Sequence, residues 1–283
     1  DGHYKRAREA VQAMLAKNPN DAQARAWMAK IKIAFRDYDG GVADAEQAVK
    51  LDPKSVYAHF AWASSCAEAA GPANPIKALS LVKCLRRESD VVLSLDPNHI
   101  QTLLVQMLFY FKAPAMVGGD KAKAQQIADK VATISPLWGA LAHARLAEEL
   151  SNDPAKEEYM KKALALGPEQ YNTRTKMAMF YCCDAKIKHP DLAEKVAKEG
   201  IAYDPTNVGG YQVLAKLYAA GSRWNELEDI LAKGEQAVPD DLAPYYAAAD
   251  TLIEQGREYA RAEVYLNKYL SIPPEGEQPT VAV

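Results

Sequence analysis

The chain has 283 residues, 34 basic and 37 acidic, for a formal charge of −3, and 49% of its residues are hydrophobic. No basic run exceeds a few residues, which excludes the electrostatic footprint of a nucleic-acid binder. No stretch approaches the roughly 18 apolar residues of a membrane-spanning helix. The sequence starts Asp1-Gly2-His3 without Met, so removal of a leader or an upstream domain is expected.

Eight prolines punctuate the chain: Pro19, Pro53, Pro97, Pro136, Pro168, Pro205, Pro239 and Pro273. Each follows a helical stretch, often in an Asn-Pro or Asp-Pro doublet, and proline cannot continue a helix because it lacks the N–H and clashes with the preceding turn. Intervals of this length with helical content predict stacked helix pairs in one solenoid rather than a globular enzyme. The expected order is a half repeat at 1–19, then repeats at about 20–53, 54–97, 98–136, 137–168, 169–205, 206–239 and 240–274, and a tail at 275–283.

Within each repeat a first helix carries an apolar residue followed by a partner that is usually small. The pairs are Met28-Ala29, Phe60-Ala61, Leu104-Val105, Leu141-Ala142, Met177-Ala178, Leu214-Ala215 and Ala248-Ala249. A large side chain beside a small one suits helices that approach closely. One turn on, Leu108, Tyr181, Tyr218 and Leu252 continue the stripe, while Lys32 and Arg145 interrupt it. In the second helices the small residues are Ala45 and Ala48, Ala124 and Ala128, Ala193 and Ala197. The tyrosine-rich closing segment from Tyr259 is read as the cap of an open stack.

These positions together resemble the tetratricopeptide repeat family. The strongest match is Gly210-Tyr211 through Leu214-Ala215 and Tyr218, then Trp224 and Pro239, and a second runs from Tyr38 through Ala45, Ala48 and Pro53. The resemblance covers seven repeats and a half. It implies an all-α right-handed superhelix of about fifteen antiparallel helices, a non-catalytic scaffold that binds a peptide or protein segment, and a bacterial source working in cytoplasm or periplasm. The periplasm is favoured if a signal preceded Asp1.

The first helices would line a concave groove. The residues after each pair form its central row: Lys30, Trp62, Gln106, His143, Met179, Lys216 and Asp250. Phe109, Gln212 and Tyr246 flank that row, and Trp62, Phe109 and Tyr246 are the expected anchors because large aromatics dominate binding hot spots. Lys30 and Lys216 are too far apart in the array to clamp a tail carboxylate. The alternative surface is the edge of long turns, where Met116, Val117, Gly118, Gly119, Asp120 and Lys121 stand before a helix start. Two glycines there could turn N–H groups toward an anion, although an N-capped tight turn explains them as well.

Cys66, Cys84, Cys182 and Cys183 fit no zinc spacing and read as free thiols on helices, with a disulfide or soft-metal role open to the adjacent pair. The five histidines are dispersed, and His59 and His99 could approach without an evident acidic partner. His189-Pro190-Asp191 matches the tripeptide of J-domain proteins but falls in a repeat turn, without the helical domain that motif needs. No cofactor, metal, nucleic acid or enzymatic site is expected. Two further readings are self-association into a homo-oligomer or larger assembly, and an accessory subunit that encloses a small ligand.

Overall fold

Four of the prolines stand just before a helix cap. Two residues after Pro19, Pro53, Pro97 and Pro205 come Asp21, Ser55, His99 and Asn207, whose side chains accept a hydrogen bond from a backbone N–H of the next helix's first turn. Such N-caps satisfy donors that a helix cannot satisfy itself. Asn74 likewise caps the helix that starts at Pro75, as its sequence predicts.

The computed structural model describes residues 3–167, 171–184, 188–274 and 276. Pro168, residues 185–187 of the fifth repeat's turn and most of the 275–283 tail lie outside that set. The described residues are helical, without strands, and fall into two compact units divided after Leu150. The N-terminal unit holds α1 (Tyr4–Lys17), α2 (Ala22–Ala34), α3 (Tyr38–Leu51), α4 (Val56–Ala70), α5 (Pro75–Leu95), α6 (Ile100–Lys112), a 3-10 turn (Ala115–Val117), α7 (Lys121–Ile134) and α8 (Pro136–Glu149). The C-terminal unit holds α9 (Asp153–Leu166), α10 (Tyr171–Met179) with a π turn (Phe180–Asp184), α11 (Pro190–Tyr203), α12 (Val208–Ala220), α13 (Trp224–Ala237), α14 (Ala243–Glu254) and α15 (Tyr259–Tyr269). Even-numbered helices are the first members of each pair, and odd-numbered helices the second.

Alanine makes the seams. Ala26, Ala29, Ala45, Ala48, Ala58 and Ala61 form one fully buried cluster where α2, α3 and α4 meet. Absent side chains bring the backbones together and cost no rotamer entropy.

The caps also fix the repeat register. The large residue of each pair stands nine positions after the punctuating proline: Met28, Trp62, Gln106, Leu214 and Ala248 after Pro19, Pro53, Pro97, Pro205 and Pro239. A recurring contact confirms it. Six residues after the proline, Arg25, His59 and Tyr211 each hydrogen-bond that proline's own carbonyl, at 3.2, 3.0 and 3.1 Å. In α4 and α6 the true register therefore lies two residues beyond Phe60-Ala61 and Leu104-Val105.

Four residues after the large side chain, a first helix is tied to a second helix in five of the pairs. Lys32 is ion-paired with buried Asp44 of α3 at 2.6 Å. Cys66 is disulfide-bonded to Cys84 of α5. The Tyr110 hydroxyl accepts from Lys123 of α7 at 2.7 Å. Tyr181 and Tyr218 donate to Glu157 of α9 and Glu194 of α11, at 2.8 and 3.1 Å. Lys32 is thus no defect in the buried stripe, because its charge is neutralised where it enters. The free-thiol reading of the cysteines is overturned, since Cys182 and Cys183 are bonded to each other as well and no described cysteine is free.

Candidate functional site

The face shared by consecutive first helices can be located from contacts that cross between them. Lys216 of α12 reaches Asp250 of α14 at 3.3 Å, and both stand two residues after the large position. Lys112 of α6 reaches Glu149 of α8 at 2.9 Å, and Trp27 of α2 donates to the Tyr57 hydroxyl of α4. Positions two and six after the large residue therefore face the neighbouring first helix, as does Phe60, two before it, against His99 at the start of α6.

In the N-terminal unit the residues two positions after are Lys30, Ser64, Leu108 and Arg145, and those two positions before are Ala26, Phe60, Leu104 and Leu141. Phe60, Leu104, Leu108 and Leu141 are all half-buried, an apolar strip across α4, α6 and α8. Phe60 is steadied by the His99 ring, with centroids 5.0 Å apart. At one end Lys30 is exposed. At the other, Arg145 is held by Glu148 at 2.6 Å and Glu149 at 2.7 Å, so its charge is already matched. Arg145 therefore belongs to this face and not to the buried stripe. In the C-terminal unit the same positions hold Thr175, Gln212 and Tyr246, then Met179, Lys216 and Asp250, which is a mostly polar face with its own ion pair.

This places the residues predicted from sequence. Lys30, Met179, Gln212, Lys216, Tyr246 and Asp250 hold the expected register, with Tyr246 also stacked on Tyr269 at 5.2 Å. Trp62, Gln106 and His143 do not. Trp62 stands at the position of Leu214, packed against the clusters of α3 and α5 and covered by the Arg87 guanidinium 4.7 Å from its ring. Gln106 occupies that same position in α6. His143 turns to α7, with Gln125 at 3.3 Å and Asp129 at 3.3 Å. Phe109 packs into the α4–α5 cluster with Val105 and is a wall residue. For Trp62 and Gln106 the sequence signal that would have found this shift is the nine-residue count from the proline; in α8, which starts at Pro136 itself, the count to His143 is seven.

At the long turn, Met116 is 91% exposed and Val117 partly so. Gly118 adopts φ +99°, a conformation open to glycine, and a Cβ at Gly119 would collide with the Ala113 carbonyl oxygen. Their N–H groups are already spent on Ala115 and Pro114 carbonyls, at 3.0 and 3.1 Å. Asp120 caps α7 by accepting from Lys123 N at 3.0 Å, and Lys121 lies over the Phe111 ring. The turn is a helix cap, and its glycines offer no N–H to an anion.

Sequence reasoning also missed the acid beside His59. Glu88 of α5 lies 2.6 Å from His59 Nδ1, both side chains are buried, and Arg87 Nε reaches the same carboxylate at 2.6 Å. In the C-terminal unit Glu194 collects Arg223, Lys198 and Tyr218. The Arg223 guanidinium foremost, with Lys198 and Tyr218, holds that carboxyl down at about 2. Among the described residues no group of three or more metal-ligating side chains converges, and no helix is long and apolar enough to cross a membrane.

No family model matches the chain. Its helix pairs superpose on the human IFIT1 dimer with m7Gppp-AAAA at 13% identity and a TM-score of 0.56, over 95% of this chain and 64% of that one. It shares the fold of the tetratricopeptide repeat proteins. TTC0263, a thermophilic protein of that class from Thermus thermophilus, is 17% identical over 82% of this chain and 99% of its own, with a TM-score of 0.42. PilW, a type IV pilus biogenesis factor, is 16% identical over 77% and 94%, with a TM-score of 0.47. A pentatricopeptide repeat-containing protein of Arabidopsis thaliana is 39% identical over 57 residues, which is 19% of this chain and 8% of that protein.

Proposed function

We propose that this chain is a non-catalytic protein-interaction scaffold whose N-terminal unit receives an apolar segment of a partner on the face of α4, α6 and α8. The observation that carries this is the strip Phe60, Leu104, Leu108 and Leu141, exposed in part at repeated register positions, with Leu104 and Leu108 seated on the core of α6, α7 and α8. Burying such side chains against a partner contributes about 25 cal/mol per Å² of apolar area, and helices already in place lose little further entropy on binding. An acidic tail is disfavoured, because Arg145 and Lys112 are neutralised by Glu148 and Glu149. The two disulfides favour an oxidising, extracytoplasmic compartment.

The test is affinity capture from source cells with the wild type beside Leu108→Arg. The expected result is loss of the captured polypeptide with unchanged helicity, about ten-fold or more in affinity for a desolvated charge in an apolar contact. Equal capture by both proteins contradicts the assignment. If the strip instead meets a second copy of this chain, sedimentation will show a concentration-dependent mass that Leu108→Arg abolishes.

A further inference from the structure

A second surface lies between second helices of the C-terminal unit. The second helices α11 and α13 do not pack on each other, and a cleft of about 610 Å³ remains between them over α12. Ile201 and Ala202 of α11 face Ile230 and Ala237 of α13 across it, and Leu214 lies in its floor. The floor's two tyrosines have spent their hydroxyls, Tyr211 on the Pro205 carbonyl and Tyr218 on Glu194, and both side chains are buried, with the Arg223 guanidinium 4.4 Å from the Tyr218 ring. The charges on the walls balance: Lys198 and Lys233 against Glu226 and Asp229, with Lys233 paired to Asp229 at 2.6 Å and Lys198 to Glu194 at 2.6 Å. A neutral occupant is favoured, because a charged one would be desolvated without a free counter-charge.

The N-terminal unit shows what fits such a gap. At the position of Leu214 it carries Trp62, whose indole fills the space between the second helices α3 and α5 beneath the Arg87 guanidinium. The α11–α13 cleft has the same floor position and flanking helices of the same rank. From this we infer that the α11–α13 cleft receives a tryptophan side chain of a partner polypeptide. Beyond the Glu194–Arg223 bridge at the start of α13 the cleft opens to solvent, so the ring enters from outside. This rests on the scaffold reading and adds a second contact, independent of the α4–α6–α8 face.

The probe is N-acetyl-tryptophanamide, titrated into the full chain and followed by calorimetry and by the ring resonances of Tyr211 and Tyr218, with indole and N-acetyl-leucinamide alongside. Saturable binding of the tryptophan amide in preference to the leucine amide is expected. Ala202→Trp, which fills the cleft from an exposed wall position, should weaken it about ten-fold or more, while Leu108→Arg leaves it unchanged. Should Ala202→Trp lose helicity, Ala237→Trp fills the cleft from the opposite wall. No saturable binding, or equal binding by the filled variant, overturns the assignment. Binding of indole with exclusion of the amide overturns the polypeptide source. Retention of probe binding alongside unaltered partner capture by Leu108→Arg would sink the first-helix face and leave the cleft standing.

Discussion

The two units solve one packing problem with different chemistry. At the position four residues after the large side chain, the N-terminal unit ties a first helix to the second helix of its own pair, through Lys32–Asp44, Cys66–Cys84 and Tyr110–Lys123. The C-terminal unit uses tyrosine at the same position and directs it backward, from Tyr181 to Glu157 and from Tyr218 to Glu194, the second helices of the preceding pairs. The repeat thus specifies a place where a tie is made, and leaves the bond type and direction free. The outer faces diverge in the same way, since apolar Phe60, Leu104, Leu108 and Leu141 correspond to the polar and ion-paired positions of the C-terminal unit.

Breaking the ties in turn should rank them, with regional hydrogen exchange as the readout. The largest effect is expected from Cys66→Ala/Cys84→Ala. Opening a loop of this sequence separation costs about 3 kcal/mol, and protection should fall over α4 and α5 while α11–α15 keep theirs. Next comes Glu194→Gln, which strips Lys198 of its carboxylate, leaves Arg223 with Glu226 alone and should cost about 2 kcal/mol in the C-terminal unit.

The pH dependence of that site has a fixed sign. Glu194 is depressed from 4.5 to about 2 in the folded chain, so its contribution is complete above 4.5 and is lost as pH falls toward 2. The C-terminal unit should lose protection across that window, and Glu194→Gln should flatten the loss. Lys32→Met should cost about 1 kcal/mol, less than the other two because Arg25 still reaches Asp44 at 2.8 Å. Tyr110→Phe should cost about 0.5 kcal/mol or less, since its partner Lys123 is exposed.

Much of the fold was legible because proline and its following cap are local signals with one physical meaning. The register was legible in α2, α12 and α14, where a pair such as Leu214-Ala215 stands out. It slipped in α4 because Ala61 and Ala63 are both buried, so Phe60-Ala61 mimics the true Trp62-Ala63. That slip put Trp62 on the expected groove face in place of Phe60, and the same two-residue slip in α6 put Gln106 there in place of Leu108. Pairings such as His59–Glu88 and Cys66–Cys84 stayed hidden because they join neighbouring helices whose relative phase depends on that register.

The most direct measurement is photo-cross-linking in source cells with a benzophenone amino acid at position 108 and, separately, at position 216. The apolar strip of the N-terminal unit predicts a discrete polypeptide adduct from position 108 that Phe60→Ser removes, and little from position 216. Adducts of equal yield from both positions, or none from 108, would contradict it.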